Sequence, residues 1–139
     1  MNFYVYSRQK AKRTSYKICE PTLIISITDP LLNLNTFAPN SHIVGICRVQ
    51  FDDVTEETVR PGNVLMTIQD AIKIKNYVMT YKDRVGCIIV HCEVGVSRSA
   101  GVMAAIQKHL IGEDSAIFND KSLSPNKYCY QLMLNAFEA

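Results

Sequence analysis

The stretch Cys87-Ile88-Ile89-Val90-His91-Cys92 constrains this chain more than any other. Ile88-Ile89-Val90 is continuously apolar instead of alternating, the pattern of a strand covered on both faces and placed in the middle of a sheet. Leu23-Ile24-Ile25 repeats it. Two such strands exclude a sheet with one wet face and require the rest of the chain to supply layers on both sides.

The remaining pattern predicts those layers. Four β-rich runs, Phe3–Ser7, Thr22–Ile27, Ile43–Phe51 and Cys87–His91, are bounded by polar, Gly or Pro residues. Between the third and fourth, Ile68, Ala71, Ile72, Val78 and Met79 recur at helical spacing in a stretch reaching about Asp83. Beyond His91 a short loop containing Gly and Ser leads to Val102, Ala105, Ile106, His109 and Leu110, one face of a second helix that Gly112 ends. From Ser124-Pro125 onward a last helix carries Tyr128, Leu132, Leu134 and Phe137, with Pro in its first turn. Leu31–Asn40 reads as a surface loop.

The expected architecture is α/β, with a central mostly parallel sheet flanked by helices on both faces. Ligand sites in such folds lie beyond the carboxyl ends of the strands. At 139 residues the chain fits a single domain, 1–139, that buries roughly two-thirds of its unfolded surface.

Composition narrows the function. The five cysteines are odd in number and form no C-x-x-C pair, so neither a disulfide framework nor a zinc site is indicated. No apolar run is long enough to span a bilayer, and Met1–Tyr6 lacks the basic region and long apolar run of a signal peptide, so a cytoplasmic protein with no membrane partner is expected. A net charge of +2 is too small for nucleic-acid binding over the whole surface. Arg8, Lys10, Lys12, Arg13 and Lys17 form a local basic cluster, expected in a solvated hairpin or loop or, on a sharper reading, as a surface that steers anionic substrates.

The chemistry is concentrated in His91-Cys92-Glu93-Val94-Gly95-Val96-Ser97-Arg98-Ser99, between a buried strand and a helix. A loop closing into a helix N-terminus aims several backbone N–H groups at one point and adds the positive end of the helix dipole, so this segment is expected to bind phosphate. Gly95 lets the backbone turn and approach a ligand, and Arg98 offers a planar fork of donors to two phosphate oxygens. The same field favours the thiolate of Cys92, which can attack phosphorus while the loop amides and Arg98 hold the equatorial oxygens. His91 is a candidate for orienting the loop or tuning the thiol, and Ser99 for donating to the sulfur or capping the helix.

His91-Cys92 through Arg98-Ser99 resembles the signature of the protein tyrosine phosphatase superfamily, most closely its small dual-specificity branch and related bacterial or phage proteins. The resemblance implies a phosphocysteine intermediate, no metal or other cofactor, and a phosphorylated protein or peptide substrate bound by Glu93, Val94, Gly95, Val96, Ser97 and Arg98. It also implies an upstream aspartic acid as general acid. Phe51-Asp52-Asp53-Val54 supplies it, with Asp53 chosen and Asp52 the alternative. The gap from Asp53 to Cys92 is longer than usual in that branch, with Glu57–Met66 as the candidate insertion. Ser124-Pro125-Asn126 and Gln131-Leu132 resemble the helix that closes these domains behind the phosphate loop, where Asn126 is a candidate to bond the loop from behind or to start the helix.

The loop lacks the extra lysines of the superfamily's phosphoinositide phosphatases, which leaves phosphotyrosine as the first expectation, with phosphoserine and phosphothreonine also open. Two other classes fit an activated thiol in an anion loop: a phosphate-binding module without turnover, and a thiol redox enzyme such as an arsenate reductase or a rhodanese-like protein, which would want a resolving thiol.

Overall fold

The computed structural model describes all residues from Met1 to Ala139. Four strands, β1 (Asn2–Ser7), β2 (Thr22–Thr28), β3 (Ile43–Gln50) and β4 (Cys87–Cys92), form one sheet in the order β1-β4-β2-β3. Every neighbouring pair is parallel, so the sheet is wholly rather than mostly parallel. The two continuously apolar runs take the two central places. All seven residues of β2 and all six of β4 are buried, as a strand enclosed by layers on both faces must be.

The layers differ in weight. Leu23, Ile25, Ile27, Ile88, Val90 and Cys92 point into the main core, which is closed by three helices. These are α2 (Ile68–Tyr81), α3 (Arg98–Ile111) and, after the single turn α4 (Ser115–Phe118), α5 (Lys127–Glu138), which packs on both α2 and α3. Each fully buried Leu or Ile here is worth about 1.5–3 kcal/mol relative to exposure. Ile24, Cys87 and Ile89 face the other way into a smaller cluster covered by Tyr6, Ile18, Phe37, Ile43 and Ile46. On that face the cover is the short helix α1 (Arg8–Thr14), a 3₁₀ turn at Ser15–Lys17, and the segment after β2. No helix is long and apolar enough to cross a membrane.

Local chemistry explains the boundaries. Thr67 and Asp70 close a capping box that starts α2. Gly112, at φ 76°, ends α3 in the left-handed conformation glycine tolerates best. Asn126 caps α5 by accepting from Cys129 N–H. Pro125 therefore lies just before the cap, not within the first helical turn as its position in the sequence implied.

Three further expectations are corrected. The basic cluster is not a hairpin or loop: Arg8, Lys10, Lys12 and Arg13 stand on α1, with Ser7 accepting from Lys10 N–H as its cap, and Lys17 ends the 3₁₀ turn. The buried stripe of α2 is Ala71, Ile74 and Val78, while Ile68, Ile72 and Met79 on the same helix are exposed. Finally, Leu31–Asn40 is not merely surface. Asn35 is buried and Phe37 packs edge-on against His91, so this coil serves as cover for the sheet where a helix would otherwise lie.

Candidate functional site

Because all four strands run the same way, their carboxyl ends meet at one edge of the sheet. Ser7 and Cys92 are register partners there, as are Ser26 and His91. Chain leaving that edge supplies Asp29 after β2, Phe51 to Asp53 after β3, and the 92–98 loop after β4.

The loop is shaped by what its carbonyls bond. Cys92 O accepts from His91 Nδ1 (3.1 Å), Glu93 O from Arg8 N–H (3.2 Å), Val96 O from Ser124 N–H (2.9 Å), and Ser97 O from Asn126 N–H (3.0 Å). All four partners lie outside the loop. A trans peptide points its N–H opposite to its carbonyl, so the N–H groups of Glu93, Val94, Ser97 and Arg98 turn to the other side. Gly95 N–H donates to Cys92 Sγ at 3.3 Å. Gly95 sits at φ 81°, and a Cβ there would come within 2.5 Å of Ser7 N, so both its conformation and its closeness to β1 demand glycine. Behind the loop, a Cβ on Gly101 would come within 2.4 Å of Asn126 O, so glycine lets the start of α5 press against α3.

Cys92 is 2% exposed and its Sγ lies 3.1 Å from Ser99 Oγ. Ser97 occupies the cap position of α3 without capping it, because its hydroxyl donates to Asp53 Oδ1 at 2.8 Å. The first N–H groups of α3 are thus left for something other than a protein side chain. Arg98, 4% exposed, directs Nη1 to Asp29 Oδ1 and to Phe51 O, both at 2.7 Å. Its Nε is buried with no partner. A buried orphan donor on a guanidinium is costly unless a ligand meets it, and an Nε–Nη2 edge is the fork that takes two oxygens of one anion.

His91 is fully buried. Its Nδ1 donates to Cys92 O, which fixes the tautomer, and its Nε2 accepts from Ser26 Oγ (2.6 Å) and Asn35 Nδ2 (3.3 Å). Burial pushes its pKa below the usual histidine value. The consequence for stability has a definite sign. Above about pH 6.5 both folded and unfolded chains hold this ring neutral, but below it the unfolded chain binds a proton that the folded one refuses. Urea midpoints should therefore fall as pH drops from about 7.5 to about 5.5, and the slope should flatten in His91→Gln. A wild-type midpoint constant over that window would show that His91 charges in place.

The two candidate acids separate clearly. Asp52 Oδ2 accepts from Val64 N–H at 2.7 Å, so this carboxylate closes the turn-rich segment between residues 52 and 64. Asp53 Oδ1 accepts from Ser97 Oγ and from Asn126 Nδ2 at 3.0 Å, which fastens its loop to the end of the 92–98 loop. Asn126 has both of its expected roles, capping α5 and bonding the loop from behind.

Glu93 departs from expectation. Its side chain turns away from the loop to Arg8 Nη1 and Asp29 N–H, both at 3.2 Å, so only its backbone faces the anion position. Val94 is 73% exposed at the rim. Asp29, Ser26, Asn35 and Arg8 were not identified from the sequence as parts of the site. The one signal that could have found Asp29 is its place immediately beyond the carboxyl end of a buried central strand.

None of the buried cysteines besides Cys92 is a ready thiolate, although Cys129 shares the main core with Cys92 and feels its charge. Cys87 is five residues earlier on β4, about 16 Å away along an extended strand. Burial pushes the thiols of Cys47 and Cys87 up to about 11 and that of Cys129 up to about 12, so all three are protonated at neutral pH.

No family model matches the sequence, and comparison with curated proteins finds no relative. Solved structures do share its fold. The human tyrosine phosphatase-like serine/threonine/tyrosine-interacting protein superposes with a TM-score of 0.67 at 16% identity, over 96% of this chain and 89% of that one. Human DUSP28 superposes with a TM-score of 0.65 at 14% identity, over 98% of this chain and 91% of that one. PTPMT1 in complex with PI(5)P gives 0.62 at 15% identity, over 99% and 90%. The chain thus has the α/β fold of the tyrosine and dual-specificity phosphatases.

Proposed function

We propose that this chain is a cysteine-dependent phosphatase of the small dual-specificity kind, hydrolysing phosphotyrosine and open to phosphoserine and phosphothreonine. The observation that carries the reading is the buried, partnerless Nε of Arg98 on a loop whose amides and Ser99 hydroxyl converge where Cys92 Sγ lies.

In the first step Cys92 Sγ attacks phosphorus as the thiolate, forming an S–P bond while the P–O bond to the substrate breaks. Inward N–H groups and the Nε–Nη2 edge of Arg98 stabilise the equatorial oxygens, and Asp29 with Phe51 O fixes the guanidinium from behind. Asp53 gives its proton to the leaving oxygen. In the second step Asp53 takes a proton from water, the water oxygen attacks phosphorus, and the S–P bond breaks to return the thiolate. Ser99 Oγ–H donates to that departing sulfur. His91, neutral and bonded on both nitrogens, is a positioning residue that fixes the Cys92 carbonyl.

The arrangement favours Asp53 over Asp52 as acid, because only Asp53 is tethered to the phosphate loop. Asp53→Asn is expected to lower kcat on para-nitrophenyl phosphate by about 10²–10⁴-fold and to remove the loss of activity on the alkaline side of the pH profile. The test compares pH–rate profiles of wild type, Asp53→Asn and Asp52→Asn. Retention of the alkaline limb in Asp53→Asn and its disappearance in Asp52→Asn would move the role to Asp52.

A further inference from the structure

Two cavities open off opposite ends of the phosphate loop, and their charges are opposed. Beside Glu93 is one of about 550 Å³ lined by Arg8, Gln9, Lys12 and the segment from Asn33 to Thr36. Beside Ser97 is one of about 780 Å³ lined by Asp53, Glu56, Glu57, Lys127 and Tyr128 among others. Cys92 lines neither.

In the first cavity the Glu93 carboxylate is already compensated by Arg8, whose other Nη bonds Asn33 O. Lys12, one turn further along α1, is exposed and has no ion-pair partner, and Arg13 follows it. In the second cavity Glu56 and Glu57 are exposed and likewise unpaired, and with Asp53 they outnumber Lys127. The basic cluster of the sequence is anchored at one point. Through Arg8, whose N–H and side chain both bond Glu93, it is fastened to one end of the phosphate loop.

We propose that the site takes phosphopeptides of opposed charge on the two sides of the phosphoresidue, acidic residues lying in the Arg8–Lys12 cavity and basic residues in the Glu56–Glu57 cavity. The proposal rests on the phosphatase reading above and names the substrate class of that same site. An extended peptide advances about 3.3 Å per residue, and the proposal assigns the charged residues to positions two to four from the phosphoresidue, about 7–13 Å along the chain. A polyanionic inositol headgroup fits less well, because its further phosphates would meet Glu56 and Glu57 on one side.

The test uses two phosphotyrosine peptides of identical composition, one with aspartates at the second and third positions before the phosphotyrosine and lysines at the second and third positions after it, the other with the blocks exchanged. Net charge is equal, so general attraction cancels and the ratio of kcat/KM reads only the order of charges. One order should be preferred by about tenfold at low salt, shrinking towards about twofold at high salt, as exposed ion pairs of this strength are screened. Lys12→Glu combined with Glu56→Lys and Glu57→Lys should invert the preference. A wild-type ratio within about twofold at low salt, a ratio unmoved by the charge reversals, or faster hydrolysis of a multiply phosphorylated inositol than of either peptide would overturn the proposal. Absence of turnover on both peptides and on para-nitrophenyl phosphate would instead bring down the phosphatase reading, and this proposal with it.

Discussion

Cys92→Ser should abolish turnover, lowering kcat on para-nitrophenyl phosphate by at least about 10⁴-fold, while leaving the fold in place. Serine differs at this position by one atom. Its hydroxyl can keep the contacts that Sγ makes with Ser99 Oγ and Gly95 N–H, so the change in stability should be about 1 kcal/mol or less. What is lost is the nucleophile, since a serine hydroxyl at neutral pH is not ionised and no base lies beside it. His91 cannot serve, because Nδ1 is committed to Cys92 O and Nε2 to Ser26 and Asn35. Thermal unfolding and single-turnover kinetics on the same preparation separate the two effects. A variant retaining more than about a hundredth of wild-type activity would mean that the sulfur is not the nucleophile.

The second large effect concerns Arg98. Lysine preserves the positive charge and can still pair with Asp29, which removes the trivial explanation that an unpaired carboxylate disrupts the site. It cannot supply a planar edge of two donors to the phosphate. Arg98→Lys is therefore expected to cost about 10²–10³-fold in kcat/KM, the usual effect of deleting one preorganised donor to a developing anion, with most of the loss in kcat. A loss below about tenfold would show that charge alone suffices and that the fork has no role.

How these residues come together was only partly legible in the sequence. The strands were found to within a residue, because continuous apolar runs bounded by polar residues have few alternatives. The 92–99 loop was legible as a candidate site for a similar reason: its candidate groups are contiguous, and strand and helix N-terminus on either side dictate where its amides point. Helix α1 was invisible, since Ala11 is its only buried residue and it carries no apolar period to detect. The face of α2 was misjudged because the helix bears apolar residues on more than one side, and periodicity cannot say which stripe meets the core. Asp29 and Asn35 were missed for a different reason. They bond Arg98 and His91 across 69 and 56 residues of sequence, in contacts that only the parallel sheet creates. Asp53 was chosen over Asp52 by resemblance to a hydrophobic-x-Asp pattern, and the tethers to Ser97 and Asn126 that set it apart belong to tertiary structure, which the sequence does not show.

Formation of a phosphoryl–sulfur bond at Cys92 is the claim on which the rest depends. Rapid acid quench during turnover of para-nitrophenyl phosphate in EDTA, followed by peptide mass mapping, tests it directly. One phosphoryl group on the peptide containing Cys92, absent from Cys92→Ser, is the expected result. Turnover with no phosphoryl group on Cys92, or with one on another residue, would contradict it.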